Sequence, residues 1–133
     1  MTTLNREWLG GRAVAEVEAF TFPSFDGLQV EAFLTRPAGL ATGQKAPLVV
    51  MIHGGPHGQQ GPGFNLKAQA YAGHGLASLM VNYRGSTGYG QGFTDAIRGD
   101  WGGKPLEDLK RGLAAATTKY AFLDDKRVAA LGA

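Results

Sequence analysis

The chain has 133 residues, with 13 Lys and Arg against 11 Asp and Glu, no Cys, and 21 Gly. That length suits one domain. The near-balanced charge shows no block of one sign and gives no support to a nucleic-acid surface. The lack of Cys excludes disulfide scaffolds, thiolate catalysis and zinc ribbons. No apolar run reaches the roughly 18 residues of a membrane helix. The start, Met1 to Trp8, lacks a basic-then-apolar secretory pattern, so a cytoplasmic location without membrane partners is expected. Glycine is about twice as frequent as in an ordinary domain. It falls between apolar runs, where it signals positive φ or close backbone approach.

In chain order, residues 1–12 read as a connecting arm. Val14 to Phe22 is rich in β-formers and stops at Pro23. Phe25-Asp26-Gly27 reads as a turn, and Leu28, Val30, Ala32 and Leu34 alternate with Gln29, Glu31, Phe33 and Thr35. A period of two predicts a second strand, and the pair an antiparallel hairpin. Residues 37–45 have loop composition. Leu48 to Ile52 is a continuous apolar run, as a strand buried on both faces requires. A helix is predicted at about 66–72, then a second buried strand over 76–81 and a Gly-rich loop from Asn82. Pro105 to Phe122 carries the strongest helical stripe, Leu106, Leu109, Leu113, Ala116 and Tyr120. Asp124-Asp125 reads as a turn and residues 127–131 as a third buried strand. Buried strands alternating with helices predict a mainly parallel sheet with helices on both faces. Function in such sheets sits in loops at the carboxyl ends of the strands.

Two loops occupy those positions. His53-Gly54-Gly55-Pro56 follows a buried strand, and bare glycines leave backbone N–H groups open to a developing oxyanion. A His-Gly-Gly loop after an early strand is the esterase form of that device; the other reading is a tight turn. The second loop, 82–92, could cradle phosphate. It lacks the dinucleotide fingerprint, since Gly88, Gly90 and Gly92 give G-x-G-x-G, and no Walker A motif is present. Ser86 fails G-x-S-x-G because Arg84 stands two places before it, and it is read as a turn residue. His53 and His57 lie in a Gly/Pro loop without an acidic or Cys companion, so no metal is expected. His74, between two glycines, reads as a helix-end residue. Arg84 is expected to hold its loop through a carboxylate or carbonyls, and Trp101 to anchor packing.

Taken together, His-Gly-Gly-Pro-His-Gly at 53–58, Asn-Tyr-Arg-Gly-Ser-Thr-Gly-Tyr-Gly at 82–90, and Trp-Gly-Gly at 101–103 followed by Asp108 resemble the catalytic domain of the prolyl oligopeptidase family of serine peptidases. The likeness is strongest to its acylaminoacyl-peptidase and dipeptidyl-peptidase-like members, and it runs over roughly 14–133. It implies an α/β fold, namely part of an α/β-hydrolase, occupying 13–133. It also implies hydrolysis of peptide bonds in short peptides by acyl-enzyme chemistry, with a peptide substrate and no cofactor or metal. In this resemblance Gly132-Ala133 open the G-x-S-x-G nucleophile motif, and the Ser, Asp and His of the triad would come later. The N–H of Gly55 would be an oxyanion donor, His53 and Gly54 would shape that loop, and Arg84, Gly85 and Tyr89 would structure the site's edge. The chain alone is then expected to be inactive and to self-associate through an open sheet edge. A carboxylesterase piece of the same fold and a non-catalytic phosphate- or nucleotide-binding module are the alternative readings.

Overall fold

Val17–Pro23 (β1) and Gln29–Thr35 (β2) pair antiparallel from Val17↔Thr35 to Pro23↔Gln29, the hairpin that the alternation predicts. The structure, a computed structural model, describes residues 3–132. Pro23 belongs to β1 because that strand lies at the sheet edge, where a missing N–H is tolerated. Ala46–Ile52 (β3), Ala77–Asn82 (β4) and Leu123–Gly132 (β5) complete a five-stranded sheet of order β1-β2-β4-β3-β5. β2 runs antiparallel to β4, whereas β3 runs parallel to both β4 and β5. The sheet is thus mixed, its antiparallel half contributed by the hairpin. Between the strands lie Leu66–Gly73 (α2), Gln91–Asp95 (α3) and Lys104–Lys119 (α4). Within the expected arm, Arg6–Leu9 (α1) makes one helical turn that buries nothing.

The two faces of the sheet are covered from opposite sides. Val30, Ala32 and Leu34 of β2 join Phe20, Phe22, Leu48, Val50, Leu79 and Val81 under Ala116 and Tyr120 at the α4 side. Phe33, Val49, Met51 and Met80 face the other way, with Ala68 of α2. Each large aliphatic side chain so buried contributes about 1.5–3 kcal/mol. Gly112, mid-helix in α4, gives up about 1 kcal/mol of helix propensity. A Cβ there would stand 2.9 Å from both the Phe22 ring and Val81, so glycine lets α4 approach the sheet.

Three boundaries differ from the sequence expectation. α4 stops at Lys119, because Tyr120 turns extended (ψ 94°) and packs edge-on against Phe20 at 5.6 Å. Asp124-Asp125 lies inside β5, where two steps of β3 (Ala46 to Leu48) oppose five of β5 (Leu123 to Val128). The Asp124 carboxylate accepts from Lys126 N (3.0 Å) and Arg127 Nε (2.7 Å), so the turn chemistry survives as a bulge. α3 has no apolar period and goes unpredicted; Phe93 alone anchors it. Among the described residues, no helix is long and apolar enough to cross a membrane.

One cross-strand pair is poorly satisfied. Thr35 and Ser78 face each other in the β2–β4 ladder, both fully buried, and neither hydroxyl has a partner among the described residues. A buried polar group left unpaired costs about 1–3 kcal/mol. Thr35→Val should therefore raise the thermal midpoint, as should Ser78→Ala where the small void is tolerated. A drop in both variants, read by thermal denaturation, would mean that the hydroxyls are satisfied in solution.

Candidate functional site

β3, β4 and β5 end together. The parallel ladder pairs Ile52 with Gly132, so the residues after Ile52 emerge beside the tip of β5. A Cβ on Gly132 would lie 2.8 Å from the carbonyl oxygen of Ile52, which is how close the two strands run there. Ile52 is a ridge between two cavities. On the α4 side about 450 Å³ opens among Gly54, Gly55, Pro56, Tyr83, Trp101 and Leu106. On the α2 side about 740 Å³ lies against Met51, Gln60, Phe64, Leu131 and Gly132.

Gly54 and Gly55 are exposed, and neither amide donates to another group among the described residues. Gly55 has φ +131°, and a Cβ there would meet the backbone nitrogens of His57 and Gly58 at 2.8 Å. Only glycine fits, and the amides of Gly54 and Gly55 stay open.

The 53–60 loop is laced to the loop after β4. Tyr83 OH donates to the His53 carbonyl at 2.7 Å, and the two rings stack at 4.5 Å with 12° between planes. Thr87 N donates to Gly58 O at 3.0 Å, His57 Nδ1 lies 2.9 Å from Gly85 O, and His53 Nε2 lies 2.9 Å from Ser86 Oγ. The buried Asn82 amide pairs with the backbone of Gln60: it accepts from Gln60 N at 2.8 Å and donates to Gln60 O at 3.0 Å. Tyr89 OH accepts from Asn82 Nδ2 at 2.6 Å and donates to Glu31 of β2. Burial first, and then that hydrogen bond to Glu31, push the Tyr89 phenol up to about 12, so it remains a donor. Burial likewise raises Tyr83. The loop 82–92 also commits its own amides: Gly85 N to Phe93 O, Ser86 N to Tyr83 O, Thr87 N to Gly58 O. Those three donors are closed to a phosphate.

Arg84 points away from the glycines. It is 3% exposed, and Asp108 of α4 is fully buried. Nε and Nη2 donate to Asp108, each at 2.8 Å, and Nη1 and Nη2 donate to Asp26 of the hairpin turn at 2.8 and 3.0 Å. Arg84 N also donates to Asp108 at 2.9 Å, Ser24 Oγ donates to Asp108 Oδ1, and the guanidinium lies over Phe25. Both carboxylates, Asp108 foremost, raise the guanidinium above its ordinary value, so it stays charged. Arg84 is therefore a structural hub holding β4's loop to α4 and the hairpin. Its bond to Asp26 holds that carboxyl down to about 2, from an ordinary 3.8. The resulting stability is complete above the ordinary value and disappears as pH falls toward about 2. Asp26→Asn should flatten the acid end of a plot of thermal midpoint against pH; an unchanged slope would remove Asp26 from this role.

Of the expected site residues, His53, Gly54 and Gly55 stand together at the β3 end. Gly85 (φ +101°) packs against Ile97 and meets the glycine loop through His57, and Tyr89 acts through Asn82. Ser86 is fully buried and works inside the loop, as the failed motif implied. His74 is the C-cap of α2. Trp101 is a correction. It is 70% exposed and rims the α4-side cavity instead of anchoring packing, since Asp100 and Gly103 keep that segment outside. There Asp100 accepts from Gly103 N (2.8 Å) and Lys104 N (3.0 Å), closing the start of α4. Ala133 lies outside the described residues. Sequence reading missed Asp26, Ser24 and Glu31 as site-building residues, and took Asn82, Tyr83 and Asp108 only as parts of motifs.

Residues 62–133 match the model of the prolyl oligopeptidase family. The chain belongs to that family. An uncharacterized peptidase of Bacillus subtilis, YuxL, is 34% identical over 132 residues, covering 99% of this chain and 20% of that protein. Dipeptidyl-peptidase 5 of Schizosaccharomyces pombe is 34% identical over 125 residues, covering 92% and 18%. Among solved structures, the acylaminoacyl peptidase of Pyrococcus horikoshii superposes with a TM-score of 0.92 at 29% identity, over 99% of this chain and 21% of that one. A puromycin hydrolase gives 0.81 at 30% identity, over 89% and 18%. The chain thus spans about a fifth of the length of the prolyl oligopeptidase-family proteins it matches. The five strands and their helices form part of an α/β-hydrolase fold, as those superpositions require.

Proposed function

We propose that the chain forms the N-terminal part of the catalytic domain of a serine peptidase acting on short peptides through an acyl-enzyme. The Gly54–Gly55 amides would supply one side of its oxyanion hole. The observation that carries this reading is the Ile52↔Gly132 pairing. It sets open amides on one strand end beside the tip of a strand whose Leu-Gly-Ala sequence would lead into the nucleophile turn. Adjacent strands stand about 4.8 Å apart, within the span of an attacking hydroxyl and an oxyanion donor that meet at one carbonyl. The three serines present, Ser24, Ser78 and Ser86, are 7%, 0% and 0% exposed, so none is available to attack substrate. The reading therefore assigns the nucleophile to residues beyond this sequence and gives the chain no turnover by itself. A fluorophosphonate probe should leave the 133-residue chain unlabelled and should label one serine in a polypeptide extended past Ala133. Labelling of Ser86 would overturn the assignment. Ester turnover without peptide turnover by the extended polypeptide would favour the esterase reading.

The same reading leaves β5 at an edge. Among the described residues it pairs only with β3, and residues 125–130 are exposed. Val128 to Gly132 carries no charge and no Pro, so nothing guards that edge against another strand. We expect the isolated chain to associate with concentration in light scattering after size exclusion, and Ala129→Lys to suppress it. A monomer at every concentration would refute the open edge.

A further inference from the structure

The two open amides sit on adjacent glycines, the most freely rotating backbone a chain can offer. Donors aimed at a developing charge act only where they are held in place beforehand. Something outside the two glycines must therefore hold them. The segment is fastened at both ends, each time from the loop after β4. Thr87 N donates to Gly58 O at 3.0 Å, and Tyr83 OH donates to His53 O at 2.7 Å. The second bond acts on the donors themselves. His53 O and the Gly54 N–H belong to one peptide unit, which is trans. Its six atoms share a plane, with C=O and N–H pointing to opposite sides. Fixing the carbonyl thus turns the Gly54 N–H away from the Tyr83 hydroxyl. Tyr83 follows β4, and β4 and β5 flank β3 on opposite sides. Beyond the fixed plane, only φ and ψ of Gly54 separate it from the Gly55 N–H.

Tyr83 is itself well held. It is buried in the α4-side core, and its ring stacks on the His53 imidazole at 4.5 Å with 12° between planes. Among the described residues, its hydroxyl bonds only the His53 carbonyl. Burial raises the phenol, so it keeps the proton it donates. We propose that Tyr83 is a positioning residue: its hydroxyl sets the plane of the His53–Gly54 peptide and so the direction of the Gly54 and Gly55 amides. The proposal rests on the reading of those amides as oxyanion donors, and Tyr83 serves the reaction through the loop it holds.

The test is Tyr83→Phe, which keeps the ring and its stack and removes only the hydroxyl, beside Tyr83→Leu, which removes both. In the polypeptide extended past Ala133, Tyr83→Phe should lower kcat by about tenfold, less than the roughly 10²–10³ that follows loss of a donor outright. KM should stay within about twofold of wild type, as for an interaction made in the transition state, and the thermal midpoint should hardly move. In the 133-residue chain, backbone relaxation should show the Gly54 and Gly55 order parameters falling from near the roughly 0.85 of rigid backbone toward the about 0.6 of flexible backbone. Gly63 should keep its wild-type value. Wild-type kcat in Tyr83→Phe with stability lost only in Tyr83→Leu would reduce Tyr83 to packing and overturn the proposal. A change confined to KM, or unaltered order parameters, would overturn it as well. An extended polypeptide that no fluorophosphonate labels would sink the oxyanion reading instead, and the relaxation measurement would still decide whether the hydroxyl holds the two amides.

Discussion

Asp108→Ala should be the most destabilising single substitution in this chain, lowering the free energy of unfolding by about 3–5 kcal/mol. A domain of this size has about 5–15 kcal/mol in total, so the variant should be largely unfolded near physiological temperature. Asp108 receives four donors: Arg84 through Nε, Nη2 and its backbone N, and Ser24 Oγ. Removing the carboxylate leaves the guanidinium buried, with only Asp26 at the cluster's half-exposed end. The magnitude comes from that uncompensated charge more than from the bonds lost. Asp108→Asn keeps one acceptor oxygen and should fall between wild type and Ala. Replacing Arg84 with Met as well as Asp108 with Leu should recover part of the loss, since an apolar pair strands no charge of its own. Urea denaturation of the three variants separates these cases. A loss under about 1 kcal/mol for Asp108→Ala would place it in the range of solvent-exposed pairs and remove the cluster from the fold's foundations.

That cluster also marks where the sequence stops being informative. Leu48 to Ile52, residues 76–81 and the stripe of α4 are local patterns, and period and apolarity alone placed those elements. The hairpin followed from alternation about Asp26-Gly27. The glycine loops were legible because a bare backbone after a buried strand has few uses. Arg84, by contrast, meets partners 24 and 58 residues away, and Asn82 meets a backbone 22 residues earlier. No spacing rule connects such positions before the sheet order is known. α3 lacks a periodic stripe because five residues around one buried Phe93 do not make one. Trp101 shows the reverse error. A large aromatic side chain implies burial by composition, yet Asp100 fixes the start of α4 in a way that leaves the indole on the cavity rim. What was legible is the scaffold and the two loops; what was not is the polar lacing that fixes one loop on the other.

Gly55→Ala should have the largest effect on catalysis, lowering kcat by about 10²–10³ in a polypeptide extended to include the nucleophile, with KM nearly unchanged. The range is that measured for loss of one oxyanion donor, and here the donor is displaced, not deleted. A Cβ on Gly55 would stand 2.8 Å from the backbone nitrogens of His57 and Gly58, and φ +131° is a conformation that an L side chain rarely adopts. The loop must rotate to admit the methyl, which swings the Gly55 N–H off the line to a developing oxyanion. A shift of a few tenths of an ångström at one end of a charge-assisted bond suffices, because such donors stabilise only where they are preorganised. The hydrophobic core lies behind Ile52 and is untouched, so the variant should lose only the stability that straining one loop costs, about 1 kcal/mol or somewhat more, and should still fold. Gly63→Ala is the control. Its Cβ meets nothing within 4 Å and its φ is not in the left-handed region, so both kcat and stability should match the wild type. Equal kcat for Gly55→Ala and Gly63→Ala would show that the open amides at the β3 end take no part in the chemistry. A fall in KM-limited turnover alone would instead assign the loop to ground-state binding of the peptide.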